Sequence, residues 1–337
     1  MRKFFNLLLI FTFISINSFA QIGISPIGLS FKSCNDIILK PILLKPYYVP
    51  LPDFSSNKDW VQPLIYDLET KTATKSYDKK FLIKAYDLFM AENDYSMARS
   101  SALKMLEIDK RDAEVLNLIG DTFLAEKDLS KALDYYLQAE KINTRLLNVH
   151  NSIGSVYMEI DKNYQVAQKE FELEILHNPT NWMPYHNIAL IHRYNNNNEE
   201  AFQAYARSVE VADNELEPML IVARFCEQLQ VHPEEGKKII KKALFLYPNS
   251  WRAWEINAGF HYRDGEYEKA EKDYLYSLKL YPRSTTLYEL SWTYTRMGKL
   301  YLAEATYKKA VAMGANDDTC YRDSAKELLG EKGIVVN

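Results

Sequence analysis

The stretch Gly265-Glu266-Tyr267-Glu268-Lys269-Ala270, followed by Tyr274, Ser277 and Pro282, is one copy of a pattern that fills most of this 337-residue chain. The pattern returns downstream as Gly298-Lys299-Leu300 with Ala303, Tyr307 and Ala310. Upstream it reads Asp128-Leu129 with Ala132, Tyr136 and Ala139, and before that Asn93-Asp94-Tyr95 with Ala98 and Ala102. A second series of small residues (Gly120, Gly154, Ala189, Ala223, Ala258) precedes successive turns. Units therefore start near Lys79, Ala113, Leu147, Trp182, Leu216, Trp251 and Ser284, at steps of 34, 34, 35, 34, 35 and 33 residues. The two longer steps place single extra residues near Asn163 and near Pro233. Side chains four apart share one face of a helix, so the small residue and the aromatic after it point the same way. Each unit is thus expected to be two helices joined by a short turn. The small residue lets a neighbouring helix approach, and the Tyr or Phe fills the space beside it.

A period of 34 residues with this pattern resembles the tetratricopeptide repeat, whose signature runs W-x2-L-G-x2-Y, then A-x3-F, then P. In the sixth unit the matching residues are Trp254, Asn257-Ala258, His261, Ala270, Tyr274 and Pro282, and in the second Leu116, Ile119-Gly120, Phe123, Ala132 and Tyr136. The fifth unit departs most, with Gly236 and Ile240 where others carry Ala and an aromatic. The resemblance implies an all-α fold: a right-handed α-solenoid of about seven helix–turn–helix repeats over residues 79–317. Residues 318–330 are expected to form a polar-faced capping helix closed by Gly330 that covers the last hydrophobic surface of the repeats. The prolines agree. Pro179, Pro248 and Pro282 end units, Pro184 and Pro218 fall in first turns, and Pro233 falls in an internal turn. None is placed in a helix interior, where its ring would clash.

The chain ahead of the repeats has another character. Met1-Arg2-Lys3, the apolar run Phe4–Ile16 and the small residues Ser18 and Ala20 have the three zones of a secretory signal peptide over residues 1–20, with cleavage before Gln21. A run of thirteen residues falls short of the roughly 20 that span a bilayer, so no integral span is expected after cleavage. Residues 21–77 hold six of the twelve prolines among Ile, Leu and Tyr, as in Lys45-Pro46-Tyr47-Tyr48-Val49-Pro50. They are expected to be an extended, proline-stiffened segment ending in a polar linker over residues 69–77. The composition and the signal type point to a bacterial protein of the periplasm or outer envelope. Cys34, Cys226 and Cys320 are odd in number and far apart, and their spacing selects no disulfide pair.

Composition and motifs narrow the chemistry. The formal charge of −4, or −6 once Arg2 and Lys3 are removed, comes with no basic block and gives no footprint for nucleic acid. There is no HExxH, no GxSxG, no Walker loop and no dinucleotide glycine pattern. His186 and His192 are six apart, on different helix faces, and His192 and His261 take the place the repeat gives to Tyr. No catalytic residue, metal or cofactor is therefore expected, and the chain is not expected to be an enzyme.

The resemblance further implies that the first helix of each unit lines a concave groove. The residues it places there are Asn117, Asp121, Asn151, His186, Arg193, Tyr194 and Arg224, then Tyr262, Arg263, Tyr288, Trp292 and Arg296, with Ser155, Met158, Leu190, Glu227, Arg252 and Glu255 between them. Asn117/Asp121 and Asn151/Ser155 differ from the Lys/Arg and Asn set of the two-carboxylate clamp, so that specificity is not carried over. Arg and aromatic residues, which dominate binding hot spots, gather in the C-terminal half. The function expected is an exported scaffold that binds a protein or peptide partner in the groove. Two alternatives stand beside it: a structural subunit of an envelope secretion or motility assembly, and a glycan-binding or enzyme-associated envelope protein.

Overall fold

The computed structural model describes residues 59–70, 76–160, 162–314 and 319–336. The expected signal peptide, most of the proline-rich segment, and Cys34 lie outside the described residues. Sixteen helices and no strands occur among those described. They are α1 Gln62–Thr70, α2 Lys79–Ala91, α3 Tyr95–Ile108, α4 Ala113–Ala125, α5 Leu129–Ile142, α6 Val149–Ile160, α7 Tyr164–His177 and α8 Met183–Tyr194. Then come α9 Asn198–Val211, α10 Leu216–Leu229, α11 Pro233–Leu246, α12 Trp251–Arg263, α13 Tyr267–Leu280, α14 Ser284–Arg296, α15 Leu300–Ala312 and α16 Thr319–Gly330. From α2 to α15 they form seven pairs whose starts match the period in the sequence. The chain divides into two units, one ending at Tyr247 and the other taking in the residues from Pro248 onward. Within each unit every helix of the pairs packs on the one before and the one after it.

Helix starts are written locally. Asp78, Asp94, Asp112, Asp128, Asn163 and Ser250 each accept a hydrogen bond from the backbone N–H three residues on, which satisfies a donor that the first turn leaves without a partner. The α10–α11 turn has two residues in the left-handed region, Gln230 and His232, and among the described residues the turn inside each other pair has one. Asn93, Lys127, Lys162 and Asn196 fill it in the first unit and Gly265 and Gly298 in the second, at φ between 50° and 77°. Only glycine takes this conformation without strain. The two extra residues lengthen first helices: Ile160 and Leu229 stand six positions past Gly154 and Ala223, whereas Ala125 stands five past Gly120.

The cores are built from the repeat's small and aromatic positions. On second helices Ala98, Ala132, Ala167, Ala201, Ala270 and Ala303 are fully buried, as are Tyr136, Phe171, Tyr205, Tyr274 and Tyr307 four residues later. How tightly they close is clear at the glycines. A Cβ on Gly120 would stand 2.5 Å from the Tyr136 ring, and one on Gly154 would stand 2.6 Å from the Phe171 ring and 3.0 Å from the Ala167 carbonyl. Cys226, a free thiol, is buried on α10. Burial, with the charge of Glu235 adding, pushes its pKa up to about 12.

Two features depart from the sequence expectation. Residues 62–70, expected to be extended chain and linker, form α1, which brings Val61 and Leu64 into the core of the first pair. Its proline, Pro63, sits in the first turn, where the missing N–H costs nothing, and Val61, Leu64, Ile65 and Leu68 follow helical spacing. At the far end α16 packs on α14 and α15 and contributes Ala325, Leu328 and Leu329 to their core, while Arg322, Asp323, Lys326 and Glu327 face outward. That is the form of a cap, but the left-handed residue closing it is Gly333 rather than Gly330.

Candidate functional site

In the unit ending at Tyr247 the groove residues lie on the first helices α4, α6, α8 and α10. The resemblance implies that they line a concave groove. In the structure Asn117, Asp121, Asn151, His186 and Arg193 are buried, and Tyr194 is exposed at 37% and stacks on Tyr164. Arg224 is half-buried and faces Glu227 at 3.4 Å. The inner row is therefore a band of enclosed polar groups. Asn187, which the sequence reading passed over, joins α8 to α6 by donating to Asn151 Oδ1 at 2.9 Å and to Ser155 Oγ at 3.4 Å. It lies one position off the residue that the 35-residue step from Asn151 selects, so repeat arithmetic alone misses it.

The electrostatics of this band come from burial. Asp121 accepts a 2.7 Å hydrogen bond from the Tyr136 hydroxyl, yet desolvation pushes its pKa up to about 7. His186 is pushed down to about 3, by burial first and then by the nearby charge of Arg193, so it is neutral at physiological pH. Neither ring nitrogen of His186 has a hydrogen-bond partner, and Arg193 Nη1, Asn117 Oδ1, Asn151 Nδ2 and Asn187 Oδ1 have none either. Most buried polar groups in proteins are paired, and these atoms on or beside the face assigned to binding are exceptions.

In the unit from Pro248 onward the five expected residues separate. Tyr288 and Trp292 belong to the core: Tyr288 packs on Tyr307 with ring centres 5.6 Å apart, and Trp292 stacks on Tyr321 of the cap at 5.8 Å. Their expected groove lining is corrected by this burial, because α15 packs on Tyr288 and α16 covers Trp292. Tyr262, Arg263 and Arg296 are half-buried. Arg296 Nε approaches the Tyr262 hydroxyl at 3.4 Å, and Tyr262 meets Tyr267 edge to face at 5.6 Å. Glu255, on the same first helix, accepts from Thr286 Oγ1.

Three histidines outside the inner row, His150, His232 and His261, have acidic partners. His150 bridges Glu170 Oε2 and the Thr144 carbonyl, and the Glu170 hydrogen bond raises its pKa. His261 faces Glu266 at 2.7 Å. Among the described residues no three His, Cys, Asp or Glu side chains are grouped to hold a metal ion, and no helix is long and apolar enough to cross a membrane.

Helix pairs at this period, with an enclosed polar face on the first helices, define an α-helical repeat protein. The chain belongs to the tetratricopeptide repeat family. Tetratricopeptide repeat models match residues 232–285, and also 113–145, 184–215 and 284–316. A tetratricopeptide repeat protein from Parabacteroides merdae is 18% identical over 72% of this chain and 97% of its own, with a TM-score of 0.50. The Cut9–Hcn1 hetero-tetramer of the APC/C supplies a chain that is 13% identical over 81% of this one, with a TM-score of 0.51; the match spans 60% of that chain. At these identities the likeness is one of fold. No curated protein sequence matches the chain. Proteins of this repeat family mediate protein–protein interactions.

Proposed function

We propose that this protein is an exported, non-enzymatic scaffold of the bacterial envelope that holds an extended segment of a protein partner on the first-helix face. The observation that carries this reading is the placement of charged and aromatic groups there without full enclosure: Tyr262, Arg263 and Arg296 in the unit from Pro248 onward. Guanidinium groups recognise carboxylates through paired hydrogen bonds, and aromatic faces supply apolar area with little entropy lost. A segment with acidic and apolar side chains suits both.

Changing Arg263 and Arg296 to Ala is expected to weaken partner binding by about 1–2 kcal/mol each, below the full value of a charge-assisted bond because both guanidinium groups are half-exposed to solvent. The melting temperature should move little. The measurement is capture from crosslinked envelope extract with wild-type and double-variant protein, beside a melting curve for each. An unchanged partner profile would move the binding surface to another face or to the proline-rich segment.

Export rests on the charge, apolar run and small-residue site of residues 1–20. Protein made in a secreting bacterial host should have the intact mass of a chain beginning at Gln21. A mass that retains residues 1–20 would remove the export part of the proposal and leave the scaffold part standing.

A further inference from the structure

Helix α11 carries an outer surface that its repeat neighbours lack. Counted from the buried small residue of each second helix, the positions two, five, six and nine further on share the face turned away from the core. In α3, α5, α7 and α9 none of these positions is buried, and each helix places an acid among them: Glu107, Asp134, Glu172 and Glu210. In α11, counted from Gly236, they are Lys238, Lys241, Lys242 and Phe245, all exposed and without an acid. The sequence shows no long run of like charge here because Ile239 and Ile240 interrupt the lysines. Folding turns Ile240 inward with Gly236 and Ala243, and winds the three lysines onto one side.

The acids of the first turn are engaged elsewhere. Glu234 holds Lys237 at 2.8 Å, and Glu235 stands 3.9 Å from His232. Among the described residues Lys238, Lys241 and Lys242 form no ion pair. At the end of their row Phe245 is 85% exposed, with Leu246 exposed beside it. A single exposed aromatic is ordinary. One that closes a row of uncompensated cations has the pattern of a peripheral membrane contact. The lysines also favour spread charge over one fixed carboxylate, because an ammonium is a point charge on a flexible stem and lacks the planar fork of arginine. The whole chain carries a formal charge of −4, so attraction to an anionic surface has to come from a local group such as this one.

We propose that the outer face of α11 docks the protein on an anionic lipid surface. The ammonium groups of Lys238, Lys241 and Lys242 lie among the headgroup phosphates, and the Phe245 ring enters the boundary between headgroups and acyl chains. This face belongs to a second helix and is separate from the first-helix residues discussed above. The inference therefore stands or falls without the partner-binding reading.

Vesicle co-sedimentation of the protein purified from a secreting bacterial host is the test, with vesicles of phosphatidylglycerol mixed into phosphatidylcholine set against phosphatidylcholine alone. Wild-type protein should sediment with the anionic vesicles and leave them as salt rises. Lys241→Gln should lower the partition coefficient roughly fivefold, and the triple variant Lys238→Gln/Lys241→Gln/Lys242→Gln should bring it down to the level of the neutral vesicles. Phe245→Ser should lower it severalfold and leave the salt dependence in place. The control is Lys104→Gln/Lys141→Gln/Lys169→Gln, which removes the same charge from α3, α5 and α7 and should stay within about twofold of wild type. A melting curve for each variant shows that it is folded. Absent binding by wild-type protein, or an equal loss in the control, overturns the α11 surface. Binding to poly-glutamate through the same three lysines, with none to the vesicles, overturns the lipid assignment in favour of an acidic protein.

Discussion

Leucine in place of Gly154 should cost about 3 kcal/mol or more, and the loss should stay local. A bare Cβ at this position already stands 2.6 Å from the Phe171 ring and 3.0 Å from the Ala167 carbonyl. The ring is fully buried and cannot swing into solvent, and the carbonyl is backbone within α7. Relief therefore requires α6 and α7 to separate. Overpacking a core typically costs 1–3 kcal/mol when side chains can adjust, and more when they cannot. The corresponding change at Ala132, Ala270 or Ala303, each fully buried on a second helix, should cost about 1–3 kcal/mol. Repeat units stabilise mainly their neighbours. Urea unfolding should give the size of the loss, and native-state hydrogen exchange its place: α6, α7 and the adjoining α5 and α8, with α2 and α3 unaffected. A cost below about 1 kcal/mol, or loss spread evenly over the unit, would contradict this packing.

Asp121→Asn should stabilise the protein by about 2–4 kcal/mol at pH 8 and by almost nothing at pH 4. The Asp121 pKa is near 7 in the folded chain because burial disfavours the carboxylate more than the Tyr136 hydroxyl favours it. In the unfolded chain it returns to about 3.9. Between those values the folded state holds a proton that the unfolded state has released, so stability falls as pH rises from about 4 to 7 and is level beyond. Asparagine keeps an oxygen to accept from Tyr136 and has no charge to desolvate. Its N–H2 group, which gains no acceptor, holds the effect below the full value of the shift. The check is the difference in unfolding free energy between the two proteins, measured from pH 4 to pH 8. A difference that does not grow across that interval would mean that Asp121 ionises without penalty.

Much of the fold was legible because its determinants are periodic. Ala132, Tyr136, Ala270, Tyr274, Ala303 and Tyr307 hold the same spacing, and each packs where that spacing places it. The helix α1 was hidden by its surroundings: Pro63 reads as one more break in a proline-rich stretch, although a proline in a helix's first turn is no break. The candidate site was legible as a face and not as an environment. Helical geometry groups Asn117, Asn151, His186 and Arg193 on first helices, but the depth of that face depends on what neighbouring helices lay over it. Trp292 shows this most clearly, since its cover is Tyr321 of α16, a residue outside the repeat period. Tyr205 occupies the repeat's aromatic position, and its complete burial is a property of the helices packed around it.

Cys226 carries a last consequence. A thiol is reactive as its thiolate, and this one, enclosed on α10 with its pKa near 12, holds almost no thiolate at neutral pH. In an oxidising compartment the sulfur is thereby a silent passenger as long as α10 is folded. Once the helix opens, its pKa returns toward that of an ordinary cysteine and its reactivity rises by orders of magnitude. Oxidation at this position would then be a record of the molecule's history, separating chains that have stayed closed from those that have once come apart.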